Sequence, residues 1–258
     1  MDIVGTFPFG EPIRIVTQSD RTRKRVFVLG VYASAVHARW VAAAGGTLIK
    51  AVGVASEPVI FWNGEGAEQI IEKIPVPAGA GRLVAPEKEF NGPSGRALDE
   101  LYLAPLGLSR ADAWLCDLVP HSCSNERQRK ALHSRYHHRM EEFGLPDYNW
   151  PSLPFWLTDE QRRADILAEL QESGADTIIT LGDQPLKYFT KFFGSAETLA
   201  SYGATAAEYG RPSDIRIGDR DMKLLPLVHP RQAAGLGMHS QEWHALHAGW
   251  VGTMPKLG

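Results

Sequence analysis

The chain has 258 residues, of which 44% are hydrophobic and 22% are charged, as is typical of a globular protein. Its formal net charge of −3 excludes a uniformly basic protein that coats nucleic acid, but it leaves room for a local basic face. Two cysteines, Cys116 and Cys123, are too few for a disulfide framework, and no apolar run reaches the ~18 residues of a membrane span. We therefore expect a cytoplasmic protein with reduced thiols and no signal peptide.

The first clear element is a buried strand at residues 25–30, where β-branched and aromatic residues dominate. The sequence predicts that this strand ends in a glycine turn at Gly30 and that a helix follows over residues 36–44. Such a unit places backbone N–H groups at the carboxyl edge of a sheet, where open α/β sheets bind their ligands. The pattern is also typical of any first β–α unit, so it does not identify a site by itself.

Residues 47–85 read as an insertion. Two β-rich runs, 47–54 and 58–62, predict a hairpin, and 66–73 predict a short helix. The stretch 75–93 is rich in proline and glycine, which in a compact domain indicates a functional or flexible loop.

Strands and helices alternate through the rest of the chain, with residues 195–222 largely irregular. The later strands are predicted at 111–119, 176–182 and 222–230, and the helices at 94–103, 125–143, 159–173 (with Thr158 as its cap), 185–193 and 240–250. Alternation of this kind predicts a single domain over residues 1–258, built as three α/β/α layers around a four-stranded, mainly parallel sheet. Four exit loops then meet at one sheet edge: Gly30–Ser34, Asp117–Ser124, Gly182–Gln184 and His229–Gln232.

The predicted helix over 125–143 is the most basic part of the chain. Its cations are Arg127, Arg129, Lys130, Arg135 and Arg139. Two interpretations have similar weight: an ordinary solvated face, or a surface that contacts the phosphates of a polyanion.

Histidines lie among these cations. His133 and His137 are four residues apart, so a helix places them on one face, with His138 beside them. A third ligand cannot be identified and the HExxH motif is absent from the sequence, so we expect no metal site.

The order and spacing of the loop motifs resemble the uracil-DNA glycosylase superfamily, most closely its iron–sulfur branch. The matching segments are Gly-Val-Tyr-Ala-Ser at 30–34, Phe-Asn-Gly-Pro-Ser-Gly-Arg-Ala-Leu-Asp at 90–99, Gly-Leu-Ser-Arg at 107–110, Trp-Leu-Cys-Asp-Leu-Val at 114–119, Thr-Leu-Gly at 180–182 and His-Pro at 229–230. The resemblance covers about residues 25–40 and 88–250, and it leaves the 47–85 insertion unmatched.

The resemblance implies roles for residues of a pocket that holds a flipped base. Phe90 would stack on the base, with Gly30 at the floor of the pocket; a core position is the alternative for Phe90. Asp117 stands where the family has the asparagine that reads the base edge. Because an ionised carboxylate only accepts hydrogen bonds, Asp117 favours an edge with two donors unless it is protonated. An ordinary polar residue at a strand end is the alternative for Asp117.

By the same resemblance, His229 would stabilise negative charge on the leaving base, with a buried structural His-Pro as the alternative. Further residues after it would lie near the DNA minor groove. These are Arg231 and Gln232, with Leu236 or Met238 as an apolar wedge in the vacated stack.

Two features depart from the family. Tyr32 occupies the position of the usual water-activating carboxylate, and Ser34, His37 and Glu57 are the substitutes within reach in sequence. The iron–sulfur cluster needs four cysteines, and the chain has two, so we expect no cluster and no other cofactor.

These observations predict a monomeric DNA glycosylase-like hydrolase that acts in DNA repair by base flipping. Its substrate would be a damaged or deaminated base, which need not be uracil. Its DNA contacts would include Arg127, Arg129 and Lys130. Two alternatives stay open. One is a catalytically degenerate protein that binds nucleic acid or a nucleotide, which Tyr32 favours. The other is an N-glycosidase of small nucleosides or nucleotides, which the acidic net charge favours.

Overall fold

The computed structural model describes residues 3–236 and 240–253. The described residues divide into two units. The first unit takes in residues 3–16, 32–93 and 120–155, and the second takes in 17–31, 94–119, 156–236 and 240–253.

The strands of the described residues, in chain order, are β1 (Ile3–Thr6), β2 (Pro12–Arg14), β3 (Val26–Tyr32), β4 (Ala35–Val41), β5 (Thr47–Ser56), β6 (Arg82–Val84), β7 (Ala113–Val119), β8 (Thr177–Leu181), β9 (Ser213–Ile217) and β10 (Arg220–Leu227). The helices are α1 (Ala67–Ile71), α2 (Pro93–Ala97), α3 (Glu126–Ala131), α4 (Met140–Phe143), α5 (Glu160–Ser173), α6 (Asp183–Tyr188), α7 (Pro230–Ala233) and α8 (Ser240–Thr253). Short 3₁₀ turns lie at Lys88–Phe90, Arg110–Asp112, His137–Arg139, Thr190–Phe193 and Leu199–Tyr202, and π turns at Leu98–Leu103 and Leu132–Tyr136.

A five-stranded sheet flanked by helices forms the second unit, which confirms the α/β class. Its strand order is β7-β3-β8-β10-β9, with β8 parallel to both β3 and β10. The Arg25 amide donates to the Asp112 carbonyl at 2.9 Å, so β3 and β7 start side by side and run in the same direction. The strand β9 is antiparallel to β10 and makes a fifth strand, where the sequence predicted four strands and an irregular segment.

The structure corrects the predicted turn at Gly30. The strand β3 continues through Val31 to Tyr32, both of them residue types that favour extended backbone, and Gly30 is not among the glycines with positive φ. Only Ala33 and Ser34 separate β3 from β4.

The predicted helix over 36–44 is also wrong, because β4 occupies most of it. Burial alternates along its second half: Ala38 and Trp40 are buried, whereas His37 and Arg39 are half-buried. Pairing with β5 on one side and β6 on the other completes a three-stranded antiparallel sheet in the first unit.

A hairpin is therefore present, but with different strands from those predicted. The strand β5 pairs with the preceding β4, and residues 58–62 form turns rather than a strand. In that turn the Trp62 amide donates to the Glu57 carboxylate at 3.3 Å.

Aromatic side chains fill the core of the first unit. Phe9 makes edge-on contacts with Trp40 and Tyr136, at centroid distances of 5.4 Å and 5.2 Å. The Tyr136 hydroxyl accepts from the Phe9 amide and donates to the Pro146 carbonyl, which satisfies a buried phenol in an apolar core.

The helical segments predicted at 125–143, 159–173 and 240–250 are present with small shifts. The first runs from α3 through π and 3₁₀ turns to α4. The cap of α5 is Asp159, whose carboxylate accepts from the Arg162 amide, rather than Thr158, whose hydroxyl donates to the Tyr188 carbonyl.

Within residues 3–236 and 240–253, no helix combines the length and apolar character needed to cross a membrane.

Candidate functional site

The candidate site starts from the carboxyl edge of the five-stranded sheet in the second unit. In chain order, the parallel strands β3, β7, β8 and β10 stand in the spatial order 2-1-3-4. The chain continues from β3 to β7 at one edge of the sheet, whereas it continues from β8 to β10 toward the opposite edge. Open α/β sheets bind ligands where strand order reverses in this way, which here is between the ends of β3 and β8.

Asp117 is the buried carboxyl group near this edge. Its side chain lies on β7, and the residue is only 3% exposed. In the described part of the chain this carboxyl group makes no hydrogen bond. Burial raises the pKa of Asp117 to about 7, against an opposing effect of Arg162 and with a small further increase from Glu169. Near neutral pH, Asp117 is therefore poised between an acceptor-only carboxylate and a carboxylic acid that also donates.

Arg162 of α5 holds the end of β7 in place. Its guanidinium donates to the Asp117 carbonyl at 2.6 Å and to the Leu118 carbonyl at 3.1 Å. It also pairs with Glu169 at 3.3 Å, and Glu169 accepts from the Trp114 indole at 3.0 Å. The buried cation is thus fully engaged beneath the strand, and it fixes the backbone from which the Asp117 side chain projects.

His229 lies directly after β10 and caps α7. Its Nδ1 accepts from the Arg231 amide at 3.2 Å. Burial, and to a smaller extent Arg231, lower the pKa of His229 to about 4. The ring is therefore neutral at physiological pH, and because Nδ1 is an acceptor, Nε2 carries the proton. With the described residues Nε2 makes no hydrogen bond, so an N–H donor is available to a ligand.

Gly182, at the end of β8, makes room for this histidine. A Cβ at this position would lie 3.2 Å from the His229 Cβ, and the backbone has φ 86° and ψ −172°, which glycine alone adopts readily. The Gly182 amide also donates to the Leu227 carbonyl at 2.7 Å. The ends of β8 and β10 are therefore in direct contact.

A buried polar network holds Val228, the residue before His229. Its carbonyl accepts from the Tyr102 hydroxyl at 2.6 Å, and its amide donates to the Tyr209 hydroxyl at 3.0 Å. The Tyr209 hydroxyl in turn bonds His247 Nδ1 at 2.7 Å, while His247 Nε2 bonds the Leu101 carbonyl at 2.9 Å. Since a carbonyl only accepts, Nε2 is the protonated nitrogen, and the tyrosine donates to Nδ1.

The residues after His229 form an exposed turn. Arg231 is exposed and Gln232 is half-buried in α7, and Leu236 is 44% exposed. The Leu236 amide donates to the Arg231 carbonyl, which closes the turn. Met238, the other wedge candidate, lies outside the described residues.

In the first unit, Phe90 precedes Asn91, which is hydrogen-bonded to the half-buried His37. Asn91 accepts from the His37 amide at 2.8 Å and donates to the His37 carbonyl at 2.9 Å. The Gln128 amide nitrogen donates to His37 Nε2 at 3.1 Å, because the Gln128 oxygen already accepts from the Asn125 amide. Phe90 itself is 36% exposed, so it does not occupy the buried core position that was the alternative to a stacking role.

The remaining predicted catalytic residues also belong to the first unit. Tyr32 is exposed at the end of β3, Ser34 is half-buried, and Glu57 is buried at the Trp62 turn. Gly30, Asp117 and His229 belong to the second unit. The roles assigned to these residues remain predictions.

The basic helical segment of the first unit is exposed, and parts of it are engaged locally. Lys130 pairs with Glu126 at 2.7 Å, and Arg129 donates to the Ser124 carbonyl at 3.1 Å. Arg127 is exposed. Among the described residues, no group of three or more histidine, cysteine or acidic side chains is arranged to hold a metal ion, the exposed histidines of this segment included.

Sequence reasoning missed the residues that support the site, namely Arg162, Glu169, Tyr102, Tyr209 and His247. For Arg162 a signal existed, because an arginine in the first turn of a helix packed on a parallel sheet lies at the carboxyl ends of the strands. The Tyr209–His247 pair has no local signal, since its members are separated by 38 residues.

No model of a known protein family matches this chain, and no curated protein matches it either.

Proposed function

We propose that this chain is a monomeric, cytoplasmic DNA glycosylase-like hydrolase with the three-layer α/β/α architecture of the uracil-DNA glycosylases. It cleaves the N-glycosidic bond of a flipped damaged or deaminated base. The observation that carries the proposal is His229: a neutral imidazole at the carboxyl edge of a parallel sheet, with Nδ1 occupied by its own backbone and Nε2–H available.

In the proposed reaction, the bond between the base nitrogen and the sugar C1′ breaks, and the bonding electrons leave with the base. Negative charge then builds on the base and is shared with its exocyclic carbonyl oxygen. The Nε2–H of His229 donates to that oxygen, and a fixed donor at a developing anion is worth about 10²–10³ in rate. Water forms the new bond to C1′, and the proton that it loses is taken up by solvent, while the released base anion is protonated from solvent. Tyr32 and Ser34 are the candidates that the resemblance offers for positioning this water.

Asp117 is proposed to read the edge of the base. In its protonated form, the carboxyl group has one O–H donor and one acceptor oxygen, as an asparagine amide has a donor and an acceptor. Because its pKa is raised to about 7, both forms are present near neutral pH. The protonated form suits an edge with one N–H and one carbonyl, such as that of uracil, and the ionised form suits an edge with two donors.

The DNA is proposed to contact both units through separate elements. In the second unit, Leu236 is proposed to enter the vacated stack, with Arg231 and Gln232 along the minor groove. Phe90, in the first unit, keeps the role that the resemblance implies, which is stacking on a base. The cations Arg127, Arg129 and Lys130 contact phosphates, and their replacement by alanine is expected to reduce the salt dependence of binding.

A panel of oligonucleotides tests the proposal. Duplex and single-stranded DNA carrying uracil, hypoxanthine or xanthine is incubated with the wild type and with His229→Ala, and abasic sites are scored by alkaline strand cleavage. We expect cleavage of at least one base by the wild type and a loss of about 10²–10³ in the variant. Cleavage of none of these bases, with DNA binding retained, would refute the enzyme and favour a degenerate binding protein, for which Tyr32 in place of a carboxylate is the supporting observation.

A further inference from the structure

Exposed and half-buried aromatic rings and cations lie together in the second unit. We name this the aromatic–cationic patch, and it consists of Trp156, Tyr188 and Phe192 together with Arg163, Lys187 and Lys191. Trp156 is 66% exposed and Phe192 is 55% exposed, which is unusual for side chains of this size.

The rings of the patch are held by hydrogen bonds and packing. The Thr158 hydroxyl donates to the Tyr188 carbonyl at 2.7 Å, which ties the segment before α5 to the end of α6. The Trp156 and Tyr188 rings meet edge to face at 6.2 Å. Phe189, between Tyr188 and Phe192, is fully buried and keeps this turn on the unit's core. The backbone that carries the exposed rings is therefore held in place by these contacts.

Each cation of the patch lies close to one of these rings. The Arg163 guanidinium carbon is 4.3 Å from the Phe192 ring centroid, and the Lys191 ammonium is 5.6 Å from the same centroid. The Lys187 ammonium is 5.5 Å from the Tyr188 centroid. A cation over a ring keeps its full charge, so the contact orients the cation without neutralising it.

One described ion pair involves these cations, and Asp159 and Glu160 lie within one helical turn of Arg163. Lys191 pairs with Glu197 at 3.5 Å, whereas Arg163 and Lys187 form no ion pair with any described residue. The six residues of the patch therefore combine aromatic ring faces with three positive charges. A partner that complements both features has flat rings on a chain of negative charges.

We propose that the aromatic–cationic patch binds single-stranded nucleic acid, with bases stacked on Trp156 and Phe192 and phosphates paired with Arg163, Lys187 and Lys191. Base stacking on aromatic side chains is worth about 1–3 kcal/mol per base and tolerates any sequence. A duplex hides its base faces, so the single strand is the preferred form. This binding goes beyond the proposed cleavage and does not depend on His229.

Fluorescence anisotropy tests the proposal with the full chain and a labelled, undamaged oligodeoxythymidylate of about 15 nucleotides at low salt. We expect Trp156→Ala and Phe192→Ala each to weaken binding about 10-fold, and Trp156→Phe to retain most of the affinity because it keeps a ring. A strand of the same length that lacks bases should show no difference between the wild type and Trp156→Ala.

Charge variants separate the phosphate contacts from the stacking. The double variant Arg163→Gln/Lys187→Gln should reduce the slope of log affinity against log salt by about 1–2. The matched control is Arg216→Gln/Lys223→Gln, which removes the same charge from two exposed, ion-paired residues on β9 and β10 and should leave the slope unchanged.

Three results would overturn the proposal: unchanged affinity in both ring variants, equal affinity for duplex and single strand, or a dimer in sedimentation that Trp156→Ala dissociates. Equal binding of oligouridylate would support it and extend the ligand to RNA. If His229→Ala loses cleavage but still binds the single strand, the binding proposal is tested independently of the glycosylase proposal.

Discussion

Two half-buried histidines, one in each unit, have similar pKa shifts but different hydrogen bonds. Burial lowers the pKa of both His37 and His229 to about 4, so both rings are neutral at pH 7. In His37, Nε2 accepts from Gln128. The backbone of Ala35 and Phe90 offsets part of the lowering of the His37 pKa by burial. In His229 the internal hydrogen bond goes to Nδ1, and Nε2–H is left for a ligand.

The difference teaches that a shifted pKa does not by itself mark a catalytic histidine. The two histidines differ in which ring nitrogen accepts a hydrogen bond from the protein. His37 fastens the 90–92 loop and the start of α3 to β4, and its ring is enclosed in the first unit. His229 sits at the end of a parallel strand with its donor available, as a group must be if it is to stabilise a leaving group.

The largest expected effect comes from exchanging each histidine for glutamine. His229→Gln should lower the rate of base release about 10²–10³-fold with little loss of stability. His37→Gln should lower the melting temperature and leave the rate per folded molecule within about a factor of three, because its ring serves packing. Single-turnover cleavage and thermal denaturation of both variants measure the two effects. Equal loss of rate in both would end the distinction.

The next effect concerns Asp117 and pH. Its folded pKa of about 7 lies above the value of ~3.9 in the unfolded chain, so the folded state binds this proton more tightly. The free energy of unfolding should therefore fall as the pH rises from ~4 to ~7, by at most about 1.4 kcal/mol per pH unit from this group. Asp117→Asn should remove that fall.

The comparison must be made as a difference between wild type and variant. His37, His229 and His247, whose pKa values are all lowered to about 4, give the opposite slope, since their stabilising effect is lost as the pH falls from ~6.5 through 4. Denaturant unfolding at several pH values gives the difference curve. A flat curve would show that Asp117 is ionised in the folded state throughout.

The parallel strands of the second unit could be predicted from sequence because each is a short apolar run bounded by turn residues. The strand β7 is buried along its whole length, and four of the five residues of β8 are buried. A local pattern was enough for these, and the terminal His-Pro marked the end of β10.

The first unit was harder to predict because non-local pairing decides its structure. Alanine-rich residues 36–44 favour a helix locally, yet pairing with β5 and β6 makes them a strand. In the second unit the edge strand β9, which carries two charged residues in five, was missed for the same reason, since pairing with β10 decides its structure. Asp117 and His229 were found from motifs, whereas the Val228 network joins residues up to 146 positions apart.

That network supplies the third prediction. Tyr209→Phe leaves the Val228 amide and His247 Nδ1 without partners, and two unpaired buried groups should cost about 1–3 kcal/mol of stability. The rate of cleavage should fall as well, because the backbone before His229 is released. Tyr202→Phe is the control: its hydroxyl accepts from the Ala196 amide at a partly buried site, and its loss should cost about 1 kcal/mol or less. Urea unfolding measures both, and equal costs would contradict the prediction.

The smallest effect tests the contact between the ends of β8 and β10. Gly182→Ala places a methyl group 3.2 Å from the His229 Cβ on a backbone that only glycine adopts readily, at a cost of about 1–3 kcal/mol. Gly218→Ala is matched to it, since its φ is also positive at 62° but a Cβ there meets nothing within 4 Å, so its cost should stay at about 1 kcal/mol. Only Gly182→Ala should also displace the imidazole, which an NMR shift of the His229 ring would report. Identical ring shifts in the two variants would mean that Gly182 shapes the turn alone and that the position of His229 depends on the network around Val228.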